Sequence, residues 1–276
     1  MKLTDYKGND GKEAAARILI AAAIFTGALI TAVALGQRVI QEKSEAILRD
    51  LAKKPAGYHK VSEDESVSSD SVSSDEASRE DKEIPIDFDT LQQVNPDIRA
   101  WITIPYTSVD YPVLCATDEE GEDYYLRRDY KGKENNHGSI YIQTGDAYDF
   151  SSRVTILYGH NMRDGSMFGT LHGLLMRPAA FSQSLIIYQP NRMLEGELIA
   201  CYETDDEYIP EKFGYFRSAR FVLDYINSFE NTTELFTTIS NDIVNGKYDI
   251  VTLSTCTKAG EKRVLAQYAI PSDQKK

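Results

Sequence analysis

The chain has 276 residues, of which 42% are hydrophobic and 26% charged, and its 43 acidic side chains outweigh 30 basic ones to give a formal net charge of -13. A phosphate-binding surface needs clustered Lys and Arg, so no nucleic acid partner is expected. Cys115, Cys201 and Cys256 lie far apart, with no Cys-x-x-Cys and no Cys/His cluster. That pattern argues against a disulfide scaffold and a structural zinc site, and no metal or cofactor is expected.

Residues 1–17 form a short tail carrying Lys2, Lys7, Lys12 and Arg17, and residues 18–37 are an uncharged run of 20. At about 1.5 Å per residue such a helix just spans a hydrocarbon core of about 30 Å. Two readings stand side by side: a transmembrane signal anchor, and a cleaved signal peptide, since Ala32-Val33-Ala34 fits the small-x-small cleavage pattern. The length of the run favours the anchor. Basic residues flank it on both sides, so the positive-inside count does not set its orientation. The short tail and large carboxy-terminal body point to a cytoplasmic tail and an extracellular body.

Residues 38–54 continue as a polar juxtamembrane helix. Residues 55–83 read as an acidic, Ser-rich linker with a direct repeat, Ser66-Val67-Ser68-Ser69-Asp70 followed by Ser71-Val72-Ser73-Ser74-Asp75. Its part from 61 to 83 holds nine acidic and two basic side chains. With so few large apolar residues it cannot offset its chain entropy, and the expectation is a disordered spacer.

From 84 to 276 the composition is that of one folded domain. Apolar runs bounded by turn residues predict eight strands, at 98–104, 109–114, 138–143, 153–158, 184–188, 196–202, 248–255 and 263–270. Helical spacing appears at 87–94, at 167–175 and at 218–229, where Phe221, Val222, Tyr225, Ile226 and Phe229 share a face. Many short strands with a few inserted helices predict a mainly β fold, a closed or nearly closed barrel. No parallel βαβ rhythm and no Gly-rich phosphate loop is apparent.

Of the four histidines, His59 is in the linker, His137 in a polar turn and His172 on the helix after Met167. His160 ends an apolar strand, Val154-Thr155-Ile156-Leu157-Tyr158-Gly159-His160. Cys256 likewise ends the strand that runs through Leu253, and Arg263 opens the next one. Cys115 and Cys201 sit inside apolar runs and read as small core residues. A cysteine, a histidine and an arginine at three strand ends suit acyl transfer. A thiolate attacks a carbonyl, an imidazole protonates the leaving amine, and a guanidinium holds the oxyanion. From spacing alone, convergence of the three ends is not given.

Tyr158-Gly159-His160-Asn161-Met162 with Asp164-Gly165-Ser166-Met167-Phe168 resembles the histidine motif of class B sortases, and Leu253-Ser254-Thr255-Cys256 is similar to the TLxTC signature of sortases. Asn95-Pro96-Asp97-Ile98-Arg99-Ala100-Trp101-Ile102 and Val109-Asp110-Tyr111-Pro112-Val113 look like the start of the same domain, so the likeness covers roughly 86–272. The resemblance implies an eight-stranded sortase β-barrel and a cysteine transpeptidase on the outer face of a Gram-positive membrane. It implies cleavage of a carboxy-terminal sorting-signal peptide, a thioacyl-enzyme, and transfer to an amino group of a peptidoglycan precursor. It also implies Cys256 as nucleophile, His160 as general acid and base, Arg263 as oxyanion or substrate stabiliser, and Ser254, Tyr158 and Thr255 as substrate-binding candidates. The segment 218–229 matches the helix that helps to form the signal groove. Thr257 and Lys258 follow the cysteine where many members carry an acidic residue. A hydrolytic exported cysteine peptidase and a non-catalytic, membrane-tethered, wall-binding β-domain are the alternatives. A papain-like enzyme is disfavoured, because its cysteine precedes its histidine.

Overall fold

The structure is a computed structural model that describes residues 7–54, 84–143, 148–176, 184–257 and 260–275. The expected linker, with His59, lies outside the described residues. The chain divides into two compact units at the step from Leu51 to Ala52.

The described residues of the first unit belong to one continuous helix, α1 (Lys7–Ala52). By length and composition it is the one helix among the described residues able to cross a membrane. Its stretch Ala22–Ala52 reaches a mean hydropathy of 1.6 over a window with no buried residues. The Thr26 hydroxyl donates to the carbonyls of Ala22 and Ala23, and that of Thr31 to Gly27 and Ala28. Both hydroxyls are thus satisfied inside the helix, as a segment in an apolar solvent requires.

The second unit is an eight-stranded closed barrel with short helices. After α2 (Phe88–Val94), capped by the Asp87 carboxylate on the Thr90 N–H, come β1 (Ile98–Thr103) and β2 (Asp110–Cys115). A 3₁₀ turn at Tyr124–Arg127 leads to β3 (Ile140–Ile142) and β4 (Val154–Tyr158). Then follow α3 (Leu171–Met176), β5 (Ser184–Gln189) and β6 (Arg192–Asp205). Three helices, α4 (Ile209–Lys212), α5 (Ala219–Asn227) and α6 (Glu234–Val244), precede β7 (Tyr248–Cys256) and β8 (Lys262–Pro271).

Around the barrel the strand order is β1-β2-β3-β4-β7-β8-β6-β5, and β5 pairs with β1 to close it. The interior is filled by alternate residues of each strand, among them Ile102, Leu157, Leu253 and Ala266, each fully buried. Cys115 and Cys201 belong to this core. The residues between them in the pleat face outward, and α5 covers part of that face. Tyr225 of α5 shares a hydrogen-bond network with Thr252 of β7 and Gln267 of β8.

Several features depart from the sequence reading. Two strand pairs are parallel, β2 with β3 and β4 with β7, although no parallel rhythm is visible in the sequence. The β2–β3 connection carries only a 3₁₀ turn, and β4 and β7 are distant in sequence, so neither looks like a βαβ unit. The helix expected at 167–175 starts late, because Gly165 (φ 81°) and Met167 (φ 53°) make a turn first. Finally, Lys53 bridges Ile86, and the Lys54 N–H donates to the Pro85 carbonyl at 3.1 Å. The described residues that flank the expected spacer are therefore side by side.

Candidate active site

The parallel pairing of β4 with β7 decides where the chemistry can gather. Strands that run the same way end at the same place. In register, Tyr158 lies beside Ser254, and the Gly159 N–H extends the ladder to the Ser254 carbonyl at 3.2 Å. Two residues further along each strand are His160 and Cys256. On the other side of β7, β8 runs antiparallel and sets Arg263 directly opposite Cys256. Neighbouring strands are about 4.8 Å apart, so the backbone holds His160, Cys256 and Arg263 in adjacent rows with the cysteine in the middle.

All three lie on the outer wall of the barrel. Their pleat neighbours Leu157, Leu253 and Val264 point inward and are fully buried. Cys256 is half-buried, whereas Cys115 and Cys201 are sealed in the core, where burial pushes the Cys201 thiol up to about 12. Ser254 and Tyr158 share the outward face with Cys256. Thr255 falls on the other parity. It pairs with inward-facing Val264, is 1% exposed and has no hydrogen-bond partner for its hydroxyl among the described residues, so it is set apart from the cluster.

Each side chain has a fixed support. The His160 Nε2 lies 2.7 Å from the carbonyl of Leu126 in the 3₁₀ turn. A carbonyl only accepts, so Nε2 carries the hydrogen and Nδ1 is left to exchange protons. The turn is itself anchored, as the Tyr125 hydroxyl donates to Asp97 at 2.7 Å and the Ser139 N–H to the Tyr125 carbonyl at 3.0 Å. Gly159 lacks a side chain where a Cβ would stand 2.5 Å from Ile140 and 2.7 Å from Phe168, which lets the end of β4 pack closely. Burial lowers the pKa of His160 below the ordinary histidine value. The Leu126 carbonyl opposes that shift, while nearby Arg127 and His137 add to it.

The Arg263 guanidinium reaches across four strands. Its Nε contacts Asp206 Oδ1 at 2.5 Å, its Nη1 is 3.4 Å from Ser254 Oγ, and its Cζ lies 5.8 Å from the Tyr158 ring centre. Tyr158 stacks on Tyr141, with ring centres 5.6 Å apart, and the Tyr141 hydroxyl donates to Asp123 at 2.9 Å. Burial, then the Asp123 charge, pushes the Tyr141 phenol well above its usual range. Beside this wall is a cleft of about 300 Å³ lined by Tyr202, Leu265, Phe213, Tyr225 and Phe229, with acidic Asp205, Glu207 and Glu230 at its edge.

The comparisons with known proteins agree with this architecture. No family model matches the chain. It is 34% identical over 169 residues to sortase B of Listeria monocytogenes, an alignment covering 60% of this chain and 65% of that protein. It is 31% identical over 177 residues to sortase B of Staphylococcus aureus, covering 62% and 68%. The crystal structure of sortase B from Bacillus anthracis in complex with AAEK1 superposes with a TM-score of 0.52 at 30% identity, covering 67% of this chain and 84% of that one. The chain belongs to the sortase B family.

This sortase B relative also holds site neighbours that sequence reasoning missed. His172 on α3 places Nε2 3.2 Å from the Cys256 carbonyl, and by the same acceptor argument it must donate there. Asp206 and the Leu126 carbonyl are the other two. All three meet the site across 34 or more positions of chain, as the sequence separations of 84, 57 and 34 show. Nothing in local composition marks them.

Proposed function

We propose that this chain is a membrane-tethered cysteine transpeptidase in which Cys256, His160 and Arg263 carry the reaction. The observation that supports it is the strand register, which sets half-buried Cys256 in the row between His160 and Arg263 on neighbouring strands. The Cys256 thiolate attacks the scissile carbonyl of a carboxy-terminal sorting signal. Negative charge develops on the carbonyl oxygen, where guanidinium N–H groups are worth most. The C–N bond then breaks, and the leaving amine takes a proton from His160 Nδ1. The acyl group stays on sulfur as a thioester. An amino group of a cell-wall precursor attacks it, returns a proton to Nδ1, and expels the thiolate.

In this reading Ser254 and Tyr158 face the substrate, residues 18–37 of α1 tether the enzyme as a single span, and the barrel lies outside the cell. The aromatic cleft beside α5 suits an extended peptide.

Mass spectrometry of the full chain in detergent, incubated with a sorting-signal peptide library, tests the proposal. A thioacyl adduct on Cys256, discharged as a ligated product by an added diamino or glycine acceptor, is the expected result. Cys256→Ala is expected to abolish adduct and turnover while leaving the circular dichroism spectrum intact. Turnover that survives this substitution overturns the assignment, and free acid as the sole product in excess amine identifies a hydrolase instead.

A further inference from the structure

We infer that Asp206 is a positioning residue for Arg263. The inference deepens the reading above and rests on Arg263 acting at the reacting carbonyl. A guanidinium assists an oxyanion only if its plane is fixed and an N–H edge stays free. Left alone, a long arginine side chain at a partly open strand end samples many rotamers, and each must be frozen out when the oxyanion forms. Here the Nε edge is held by the Asp206 carboxylate at 2.5 Å, and Nη1 approaches Ser254 Oγ at 3.4 Å. Those two contacts on opposite sides of β8 define the plane. Neither contact uses the Nη2 N–H groups, which are the donors available for the oxyanion.

Asp206 is well placed for this and for little else. It follows the last residue of β6, where Asp205 pairs with Lys262 and Thr204 with Arg263, so it stands just past the end of the ladder. Its side chain is 44% exposed against 26% for Arg263. An exposed ion pair of this kind contributes little to folding. A purely structural role thus predicts almost nothing on its removal, whereas orientation of the guanidinium predicts a loss in the acylation step. The carboxylate also neutralises the arginine, which then acts as an aimed N–H donor more than as a diffuse positive charge.

The test uses p-nitrophenyl acetate, an activated ester that acylates a reactive thiol and needs no sorting signal. The full chain in detergent is assayed for p-nitrophenolate release, with Cys256→Ala as background. Removing an oxyanion donor costs about a hundredfold or more, so Arg263→Ala is expected to lose about that in maximal acylation rate, with Asp206→Ala losing about tenfold. KM should hardly change. Asp206→Asn keeps an oxygen acceptor for Nε–H and should recover most of the rate. In the double variant, loss of Asp206 should cost nothing beyond loss of Arg263, because the two act as one unit. Thermal unfolding of Asp206→Ala should match the parent chain. A full rate in Asp206→Ala, a rate above the parent's in Asp206→Asn, or losses that multiply in the double variant overturn the inference while leaving the nucleophile standing. A full rate in Arg263→Ala overturns it together with the role given to that arginine. Release that is equally fast in Cys256→Ala sinks the proposed function itself.

Discussion

At His160 two opposing influences set the chemistry. The Leu126 carbonyl favours the protonated ring, yet burial outweighs it, and Arg127 and His137 push the same way as burial. The folded chain therefore holds this proton less tightly than the unfolded chain, where histidine titrates near 6.5. The sign follows by linkage: the contribution to stability is present above about pH 6.5 and is lost as pH falls through the folded-state value. Replacing His160 with Gln should flatten that acid-side loss in denaturant titrations at stepped pH. Nitrogen-15 NMR of the ring should show Nε2 protonated in the neutral form, with a midpoint below 6.5. A neighbouring glycine guards the same contact. Gly138 has φ 59°, and a Cβ there would stand 2.3 Å from the Leu126 oxygen and 2.9 Å from its carbon. Both obstacles are backbone, so they cannot swing aside. Gly138→Ala should shift the Leu126 carbonyl and unseat the imidazole. The expected costs are about 1–3 kcal/mol of stability and about tenfold or more in Cys256-dependent turnover. Chemical denaturation and the ester assay measure the two separately.

The elements show why some of this was readable and some was not. Cys256, His160 and Arg263 each stand at the edge of an apolar run, and strand patterning found those edges because alternate residues really do fill the barrel. The motifs around His160 and Cys256 carried the family. Convergence was hidden, since it depends on the parallel pairing of β4 with β7, whose paired residues, such as Tyr158 and Ser254, are 96 positions apart. The α6 helix was missed as well. Its β-branched Thr237, Thr238, Ile239 and Ile243 are weak helix formers, and it is held by the Thr233 cap and by burial of Ile239 and Ile243. The α5 helix was legible from its apolar face, but not its polar anchor. The Tyr225 hydroxyl lies 2.8 Å from Thr252 Oγ1 and accepts from Gln267 Nε2 at 2.9 Å, while Thr252 donates to Gln267 Oε1 at 2.6 Å. These partners are fully buried on the same strands that carry Cys256 and Arg263. Tyr225→Phe leaves the Gln267 amide short of an acceptor where no water reaches. A loss of about 1–3 kcal/mol is expected in urea unfolding. Thr252→Val combined with Tyr225→Phe should cost less than the two singly summed, since each removes a partner of the other.

At the scale of the barrel, the site and the chain terminus are at opposite ends of one strand. Asp249 is the second residue of β7, and its side chain is 7% exposed. Its carboxylate meets Arg153 Nε at 2.8 Å and Lys275 Nζ at 3.3 Å, and the same ammonium, 5% exposed, donates to the Ser152 carbonyl at 2.8 Å. Arg192 in turn donates to the carbonyl of Lys275, and the Glu195 N–H to the side chain of Gln274 at 2.7 Å. The 3₁₀ turn Ser272–Lys275 is thereby fastened to β6, to β7 and to the residues just before β4. Burial pulls the Lys275 ammonium below its usual range, against the attraction of Asp249, so the lysine is held at a cost. Removing it still harms the fold, because the buried Asp249 carboxyl then loses one of its two cationic partners, Lys275, and keeps Arg153. Lys275→Met is expected to destabilise the barrel by about 1–3 kcal/mol, measured as a lower urea midpoint. Cys256 is seven residues further along β7, about 23 Å at the rise of a strand. Changes so far apart with no shared partner add independently. The rate of ester cleavage per folded molecule should thus equal that of the parent chain. A rate that falls with the midpoint unchanged would mean that the terminal fastening reaches the thiol through β7, and that the barrel wall is less rigid than its packing implies.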